Sequence, residues 1–338
     1  MQNYFSYANT TGHGIIGKHN LSKHNLTFRE TSVLLNSRLK LDGSMNLMRQ
    51  VVKNKPTVGG FYMNPLVGLY RFPRGEDISY YKENFEVYDE GRNLNIQNWH
   101  TSYEDFEQNP YWITNRILSK ENRMHVIVSL SANLKINDWL SLQTRGNVDY
   151  INDKVRQQFY ASTAPALAGA NGRYIEMDYQ ETQYYGDAIL MMKKQWDAFS
   201  LNAALGASIN DKTVNSTRYD SKTASLKYAN VFNLANIIMN GSAGLDQKID
   251  ARRQLQSLFA TAQLGYNEFV YLDLSARNDW SSTLAYTSHE KSGFFYPSVG
   301  FSLIFNKLMT LPRWVSLAKI RGAYSMVCLL YTSPSPRD

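Results

Sequence analysis

Residues able to bind a ligand are concentrated between positions 51 and 123, where aromatic side chains alternate with Asp, Glu and Asn. Aromatic rings stack on sugar faces, and the polar side chains between them can hydrogen-bond hydroxyl groups. For any single ring, packing within the loop or against a protein partner is the more common outcome. We nevertheless expect at least one of Trp99, Tyr111 and Trp112 to contact a ligand or a partner.

The sequence offers little support for catalysis or metal binding. His13, His19 and His24 lie near one another, but their spacing, with no carboxylate between them, does not suit a zinc site. Neither Gly-x-Ser-x-Gly nor His-Glu-x-x-His occurs. The only cysteine is Cys328, which argues against disulfides, Cys-based metal sites and thiol catalysis. We therefore predict no catalytic residue, no metal and no cofactor, and we do not expect an enzyme.

Composition restricts the class of protein further. The formal net charge is +7, but Lys and Arg are scattered and no RNA-binding aromatic motif occurs, so we expect no nucleic-acid partner. No run approaches the roughly 18 apolar residues of a membrane-spanning helix. A membrane β-barrel stays compatible with this composition, because half of its strand residues face a wet lumen. The first residues lack a signal-peptide pattern, which predicts either a cytoplasmic protein or an N-terminal region that is missing.

Alternation of apolar and polar residues predicts an all-β fold with eleven strands. The clearest hairpins lie at 126–150, 182–210 and 256–277, where one face of each strand is apolar and the other polar. The predicted connectors alternate between long and short. Outer-membrane barrels have extended loops on the extracellular side and tight turns on the periplasmic side. The pattern therefore predicts a partial antiparallel transmembrane β-barrel.

Tryptophan occurs in three of the five short connectors, at Trp139, Trp196 and Trp314, each near a strand end. Indole rings prefer the membrane interface, so we predict that these three belong to one interfacial girdle in contact with outer-membrane lipid. The alternative is that they are ordinary hydrophobic plugs at the turns of a soluble sandwich. In that case Val128, Leu142, Leu201, Leu272 and Phe301 would converge in a shared dry core.

An open sheet of eleven strands would leave two unpaired edges in hydrocarbon, where backbone groups need partners. Bacterial single-chain barrels also have even strand numbers. We therefore expect the chain to be part of a larger barrel, with strands missing on both sides.

Several motifs resemble one family at this point. They are the segment 54–75, Gln108-Asn-Pro-Tyr-Trp112, Arg145-Gly-Asn-Val-Asp-Tyr150, Ala276-Arg-Asn-Asp-Trp-Ser-Ser282 and Phe295-Tyr-Pro-Ser-Val-Gly300. Over residues 1–327 the sequence resembles the SusC/RagA-type TonB-linked outer-membrane transporters of Bacteroidetes. The resemblance implies a plugged barrel of about 22 strands in the cell outer membrane.

The resemblance also implies partners and cargo. Such a transporter pairs with a SusD-like surface lipoprotein and imports oligosaccharides or peptides, driven by TonB, ExbB and ExbD. The signal peptide, TonB box and plug of the family have no counterpart in this sequence, so energy coupling cannot be assigned to any of its residues. Residues 328–338 differ in composition and look like translated adapter sequence, so we expect them to be a non-native tail.

Two other functions remain open at the level of sequence. A surface adhesin or other glycan-binding β protein would use the same aromatic residues without transporting anything. An outer-membrane barrel enzyme is the third reading. A plug and a TonB box upstream of this segment would separate an importer from an adhesin.

Overall fold

The computed structural model describes residues 1–55, 62–101, 107–222, 226–239, 244–285, 293–312 and 314–326. The expected non-native tail, 328–338, lies outside the described residues, so the division at residue 327 stays a prediction. Within the described residues the thirteen strands are β1 (Gln2–His13), β2 (Asn20–Leu34), β3 (Leu39–Lys53), β4 (Glu86–Asp89), β5 (Leu94–Gln97), β6 (Ile117–Lys135), β7 (Leu140–Phe159), β8 (Arg173–Trp196), β9 (Phe199–Asp220), β10 (Gly244–Tyr266), β11 (Val270–Ser281), β12 (Phe294–Ile304) and β13 (Lys319–Ser325).

Helices are short in the described part of the chain. They are α1 (Pro65–Arg71), α2 (Ile78–Glu83), α3 (Pro110–Arg116) and α4 (Phe305–Leu308), with 3-10 turns at Leu234–Asn236 and Ser282–Leu284. None of the helices in the described residues has the length and apolar composition needed to traverse a lipid bilayer.

Eleven of the strands form one antiparallel sheet in the order β1-β2-β3-β6-β7-β8-β9-β10-β11-β12-β13, and β4 pairs only with β5. The predicted number of main strands is therefore confirmed. Most strands are longer than the alternation indicated. For example, the hairpin predicted at 182–210 is formed by β8 and β9, which begin at Arg173 and end at Asp220.

In the additional strand length the face that is apolar elsewhere carries polar residues, as at Glu176, Asp178 and Gln180 of β8, whereas Ile175 and Met177 lie on the opposite face. The alternation is therefore not continuous with that of the inner half. Ion pairs hold these outer halves together, as between Arg123 of β6 and Asp153 of β7 (2.6 Å) or Lys212 of β9 and Glu181 of β8 (2.6 Å). A strand needs only about 9–11 residues to cross a bilayer. The sheet therefore has the length to continue well beyond a membrane-crossing band.

Connectors differ at the two ends of the sheet. Four tight turns, 35–38, 136–139, 197–198 and 267–269, lie at one end, and the long segments 54–116, 160–172 and 221–243 lie at the other. The predicted alternation is wrong in one place. The connector 305–318 contains α4 and is longer than 14–19 at the opposite end.

Most apolar residues of the sheet lie on one face and form rows across it, because directly opposite residues of antiparallel strands share a face. One row is Leu34, Leu39, Leu134, Leu142, Leu190, Leu205, Ala260, Ala276 and Pro297. Glu30 also lies on this face and accepts a hydrogen bond from the Ser32 hydroxyl (3.2 Å).

Large side chains on this face are exposed, including Leu130 (61%), Leu205 (50%) and Phe301 (54%). Leu201, Leu264, Leu272 and Phe301 stand side by side across four strands rather than converging. No second sheet packs on this face among the described residues. The soluble-sandwich alternative is therefore wrong.

The opposite face carries the polar residues, and they pair within the sheet. A row three residues away from the row of Leu39 contains Asp42, Ser131, Arg145, Asp187, Ser208, Ser257 and Asp279. Arg145 binds Asp187 (2.6 Å), whose side chain is fully buried. Arg277 donates to both Asp279 and Ser257 at 2.8 Å. These charges stabilise the sheet by cross-strand contacts.

The strands are staggered. Leu34 and Leu39, which flank the β2–β3 turn, lie in the same row as Leu190 of β8 and Leu205 of β9. Strands β8 and β9 continue beyond this row to Trp196 and Phe199 before they turn. A progressive offset of this kind is what tilted strands need in order to close into a barrel. The fold is therefore a partial antiparallel β-barrel.

Gly206 offers a test of the packing on the polar face. A Cβ built on Gly206 would collide with the ring of Phe259, over which the Arg277 guanidinium lies at 5.7 Å. Overpacking costs about 1–3 kcal/mol. We expect Gly206→Val to lower the free energy of unfolding by that amount, measured from the urea midpoint of the lipid-inserted protein.

Gly146→Val is the matched control, because a Cβ on Gly146 meets no atom within 4 Å. Equal midpoints for the two variants would contradict the packing of Phe259 on Gly206.

Candidate functional site

The most deeply buried side chains gather at the end of the sheet that carries the long connectors. We call the described parts of 62–116, 160–172 and 221–239 the lid. One apolar cluster joins Phe159, Ala168 and Ile175 to Met63 and Ile117, and a second joins Tyr174, Leu226 and Ile237. The lid therefore shares a core with the strand ends on which it packs, whereas the sheet nearer the tight turns has no such cluster among the described residues.

Two asparagine–proline pairs start helices of the lid. The Asn64 side chain accepts from the N–H of Leu66 at the start of α1, and the Asn109 side chain accepts from the N–H of Tyr111 at the start of α3. A capping Asn followed by Pro is a recognised helix start. This signal was present in the sequence, but the sequence analysis assigned the whole segment to a loop.

Buried amides tie the segments of the lid together. The Asn109 Nδ2 donates to the carbonyls of Tyr81 (2.9 Å) and Asn98 (2.8 Å). The Gln108 Oε1 accepts from the N–H of Ala164 (2.9 Å). The Gln97 Oε1 accepts a hydrogen bond from the backbone N–H of Asn109 (2.7 Å). The backbone N–H of Gln97 donates to the Ser162 hydroxyl (2.9 Å). Residues far apart in the chain thus share one hydrogen-bond network.

Trp112 belongs to this core. It is 1% exposed, and its Nε1 donates to the Thr163 hydroxyl at 3.1 Å. The ring is enclosed within the lid in this structure. Its role is to join α3 to the segment 160–172. The expectation that at least one of Trp99, Tyr111 and Trp112 contacts a ligand or a partner stays a prediction.

Trp99 is half-buried in a group of rings with Phe72, Tyr81 and His100, with ring centres 4.7–6.3 Å apart. Its Nε1 donates to the buried carboxylate of Glu107 (3.2 Å), which also pairs with Arg71 (3.1 Å). Burial, followed by the hydrogen bond to Glu76, raises the pKa of Tyr81. These contacts stabilise the lid itself.

Tyr111 is half-buried, and the contacts that hold it are made by its backbone: its N–H binds Asn109 and its carbonyl accepts from Asn115 (2.6 Å). The predicted contact with a ligand or partner stays a prediction for Tyr111 and Trp99.

An ion pair fixes α3 to the small hairpin of β4 and β5. Arg116 donates from Nε and Nη2 to both carboxylate oxygens of Glu86 (2.7 and 2.6 Å). Its guanidinium also lies 5.1 Å from the centre of the Tyr160 ring. The hydrogen bonds from Arg116 to Glu86 raise the pKa of Arg116 above its usual value. A two-pronged contact of this kind has a defined geometry and positions the hairpin.

A surface groove of about 390 Å³ lies under the lid, mainly on the polar face of β6 and β7. Its apolar lining includes Met63, Ile113, Ile117 and Phe159, and its polar lining includes Asn54, Lys55, Ser119, Glu121 and Gln157. Asn54 holds the wall of the groove, because its backbone N–H donates to the Ser119 carbonyl (2.8 Å) and its Oδ1 accepts from the Ser119 N–H (3.0 Å).

Lys55 and Glu121 bring opposite charges to this groove. Neither has an ion-pair partner among the residues that the structure describes. The groove can therefore take a ligand with an apolar side chain and two opposite charges. No motif in the sequence indicated it, because its residues come from five separate segments.

Rings also collect at the tight-turn end. The Lys194 ammonium lies 5.5 Å from the centre of the Trp139 ring and 5.7 Å from that of Trp196. Phe199, Tyr266 and Phe269 follow, with ring centres 4.9 and 5.5 Å apart. Trp314 is 84% exposed in the connector before β13. The interfacial role of Trp139, Trp196 and Trp314 stays a prediction, to which Phe199, Tyr266 and Phe269 are added.

Within the described residues no group of three His, Cys, Asp or Glu side chains is arranged to hold a metal ion. His24 is held by the Tyr7 hydroxyl (2.8 Å) and by Asn9 (3.1 Å), and His13 lies against Asn20 (2.5 Å).

A staggered antiparallel sheet with an apolar outer face, tight turns at one end and a folded lid at the other defines the class: a segment of a β-barrel wall. Solved structures share this fold. The RagAB peptide transporter superposes with a TM-score of 0.68 at 18% identity, over 96% of this chain and 35% of that chain. The RagAB peptide importer in its open-open state gives 0.68 at 17% identity, over 96% and 34%.

P. aeruginosa FpvA bound to a heterologous pyoverdine gives a TM-score of 0.56 at 13% identity, over 89% of this chain and 36% of that chain. The chain thus spans about a third of the length of these proteins. No protein-family model and no curated protein sequence matches it. The expected all-β barrel fold, of the kind found in RagA, is confirmed.

The role of Asn109 in the lid can be tested by Asn109→Ala. The substitution leaves two buried carbonyls and the Tyr111 N–H without their side-chain partner. Each buried polar group left without a partner costs about 1–3 kcal/mol. We expect backbone amides of 78–116 to exchange hydrogen at least tenfold faster, while those of β7 and β8 keep their protection.

Asn95→Ala is the control, since Asn95 is exposed and makes only a 3.2 Å contact with Glu86 among the hydrogen bonds of the described residues. Equal exchange in both variants would show that Asn109 does not hold the lid.

Proposed function

We propose that this chain is part of the barrel of a TonB-dependent outer-membrane importer, and that its cargo is short peptides. The groove under the lid is the observation that carries the proposal. It lies on the polar face, which becomes the lumen when the apolar face contacts lipid. It combines an aliphatic lining with Lys55 and Glu121, which match the carboxylate and the ammonium group of a peptide.

The composition of the groove favours a peptide over an oligosaccharide. Sugars bind best to flat exposed aromatic rings. In the lid, Trp112 is buried and Trp99 lies among other rings, while Met63, Ile113 and Ile117 line the groove. The likeness to the RagAB peptide transporter supports the same choice. Import of oligosaccharides, the other cargo that the sequence resemblance implies, would require stacking on Trp99 or Tyr111.

We further propose that a SusD-like surface lipoprotein covers the lid. Helix α1 supports this, because Leu66, Leu69 and Tyr70 are 41%, 42% and 86% exposed. Neighbouring exposed apolar side chains of this kind mark protein contact surfaces. Energy coupling by TonB, ExbB and ExbD would act through parts of the protein other than this chain.

The same arrangement argues against a non-transporting adhesin. An adhesin would carry its binding residues on the exposed outer surface of the lid. Here the two unpaired charges lie beneath the lid in a groove on the polar face. A barrel enzyme finds no support, because the proteins that share the fold include a peptide transporter.

The cargo can be tested with charge variants of the groove in the complete protein. We expect Glu121→Gln and Lys55→Gln each to weaken binding of an unmodified tetrapeptide by about five- to twentyfold, since a charge-assisted hydrogen bond contributes roughly 1–2 kcal/mol. Isothermal titration calorimetry measures the affinity. The peptide with blocked termini should bind wild type and variants equally.

Lys120→Gln is the matched control, because Lys120 is adjacent in sequence but its side chain belongs to the opposite face of β6. Unchanged peptide affinity in the groove variants would exclude this groove as the cargo site. If the complete protein bound an oligosaccharide tightly and the tetrapeptide weakly, the cargo would be an oligosaccharide and not a peptide.

The lipoprotein contact can be tested by the double substitution L69S/Y70S. Removing two exposed apolar side chains from an interface should weaken capture of the lipoprotein by at least tenfold in pull-down from detergent. Ile249→Ser, at a residue 70% exposed on β10 and outside the lid, should leave capture unchanged. Full capture by L69S/Y70S would place the partner elsewhere.

A further inference from the structure

Basic side chains border the apolar face on the lid side of β2, β3 and β6. The apolar face reaches a row formed by Tyr7, Leu26, Leu47, Val126 and Tyr150. The next row on that face pairs His24 with Arg49, and two rows further on Lys53 lies directly opposite Lys120. The change from apolar to basic residues thus occurs within a few residues along each strand.

A surface groove of about 530 Å³ occupies this border. Tyr7, Leu26, Leu47 and Met124 supply apolar lining, and His24, Arg49, Asn152 and Lys154 supply polar lining. His24 is held in place by the Tyr7 hydroxyl and the Asn9 amide. The groove therefore has an apolar part continuous with the apolar face and a basic part facing the lid.

Part of this positive charge has no ion-pair partner in the part of the chain that the structure describes. Lys154 pairs with Asp178 (3.4 Å) and Arg156 with Glu176 (3.1 Å). Arg49, Lys53 and Lys120 are exposed and have no ion-pair partner among the described residues. Like charges directly opposite each other destabilise a sheet. An anion bound at the Lys53–Lys120 pair would relieve this repulsion.

We propose that this border binds a phosphorylated lipid of the outer leaflet. The acyl chains lie along Leu26 and Leu47, and the phosphate groups bind Arg49 and the Lys53–Lys120 pair. Arg49 and Lys53 are four residues apart on one strand, which corresponds to about 13 Å. The arrangement fits a headgroup with two phosphates separated by a sugar-sized spacer.

The proposal rests on the proposed function only in requiring that the apolar face contacts a membrane. It does not depend on the cargo. The two sites are on opposite faces, so a variant of one leaves the other intact.

The test is native mass spectrometry of the complete protein in a neutral detergent, titrated with diphosphorylated lipid A. We expect the triple variant R49Q/K53Q/K120Q to bind about 100-fold more weakly, because each Lys or Arg near anionic lipid contributes roughly a factor of five. R38Q/K40Q/K135Q is the control. It removes the same number of positive charges at the tight-turn end and should bind as wild type does.

Three results would overturn the proposal: wild-type affinity of the triple variant, equal binding of dephosphorylated lipid A, or displacement of the lipid by millimolar inorganic phosphate, which would indicate a free-anion site. The single variant Lys120→Gln, expected to bind about fivefold more weakly, keeps the test decisive if the triple variant folds poorly. Glu121→Gln should keep full lipid affinity, so a failed cargo assignment and a failed lipid site give different outcomes.

Discussion

The continuous ladder of backbone hydrogen bonds across eleven strands is the constraint on which the rest of this structure depends. In hydrocarbon an unpaired N–H or C=O costs several kcal/mol, so a strand crosses a membrane only with a partner on each side. The ladder runs without interruption from β1 to β13, and the register slips only once, between Lys248 and Ala251. Because the register is otherwise regular, every residue is assigned to one face by its position alone.

That assignment separates chemistries that are adjacent in sequence. Lys120 and Glu121 are neighbours, yet one belongs to the apolar face, proposed to contact lipid, and the other to the groove under the lid. The same strand, β6, thus contributes to both proposed sites. On the polar face many charges are paired, as Arg145 is with Asp187, whereas Lys55 and Glu121 have no ion-pair partner among the described residues.

The lid follows a different principle. Its segments cannot use the ladder, so they satisfy their backbone groups with buried amides. Asn109, Gln108 and Gln97 bind carbonyls and N–H groups from distant parts of the chain, and Trp112 fills the space between them. The ion pair of Arg116 with Glu86 adds a fixed orientation for the small hairpin. A positioned lid of this kind can give the groove below it a constant shape.

Period-two alternation sufficed to predict the sheet and its eleven strands. In 126–150 and 256–277 the polarity of each residue indicates which face of the sheet its side chain occupies. The alternation missed the outer halves of strands such as β8, where the face that is apolar elsewhere carries polar residues and charged residues pair across strands. The burial of Trp112 was not visible in the sequence, since the composition of a loop does not reveal which rings pack inward. The groove required tertiary structure, because Met63, Ile113, Glu121 and Phe159 meet only after strands and lid have folded together. Local pattern therefore decided the wall of this protein, and long-range packing decided its site.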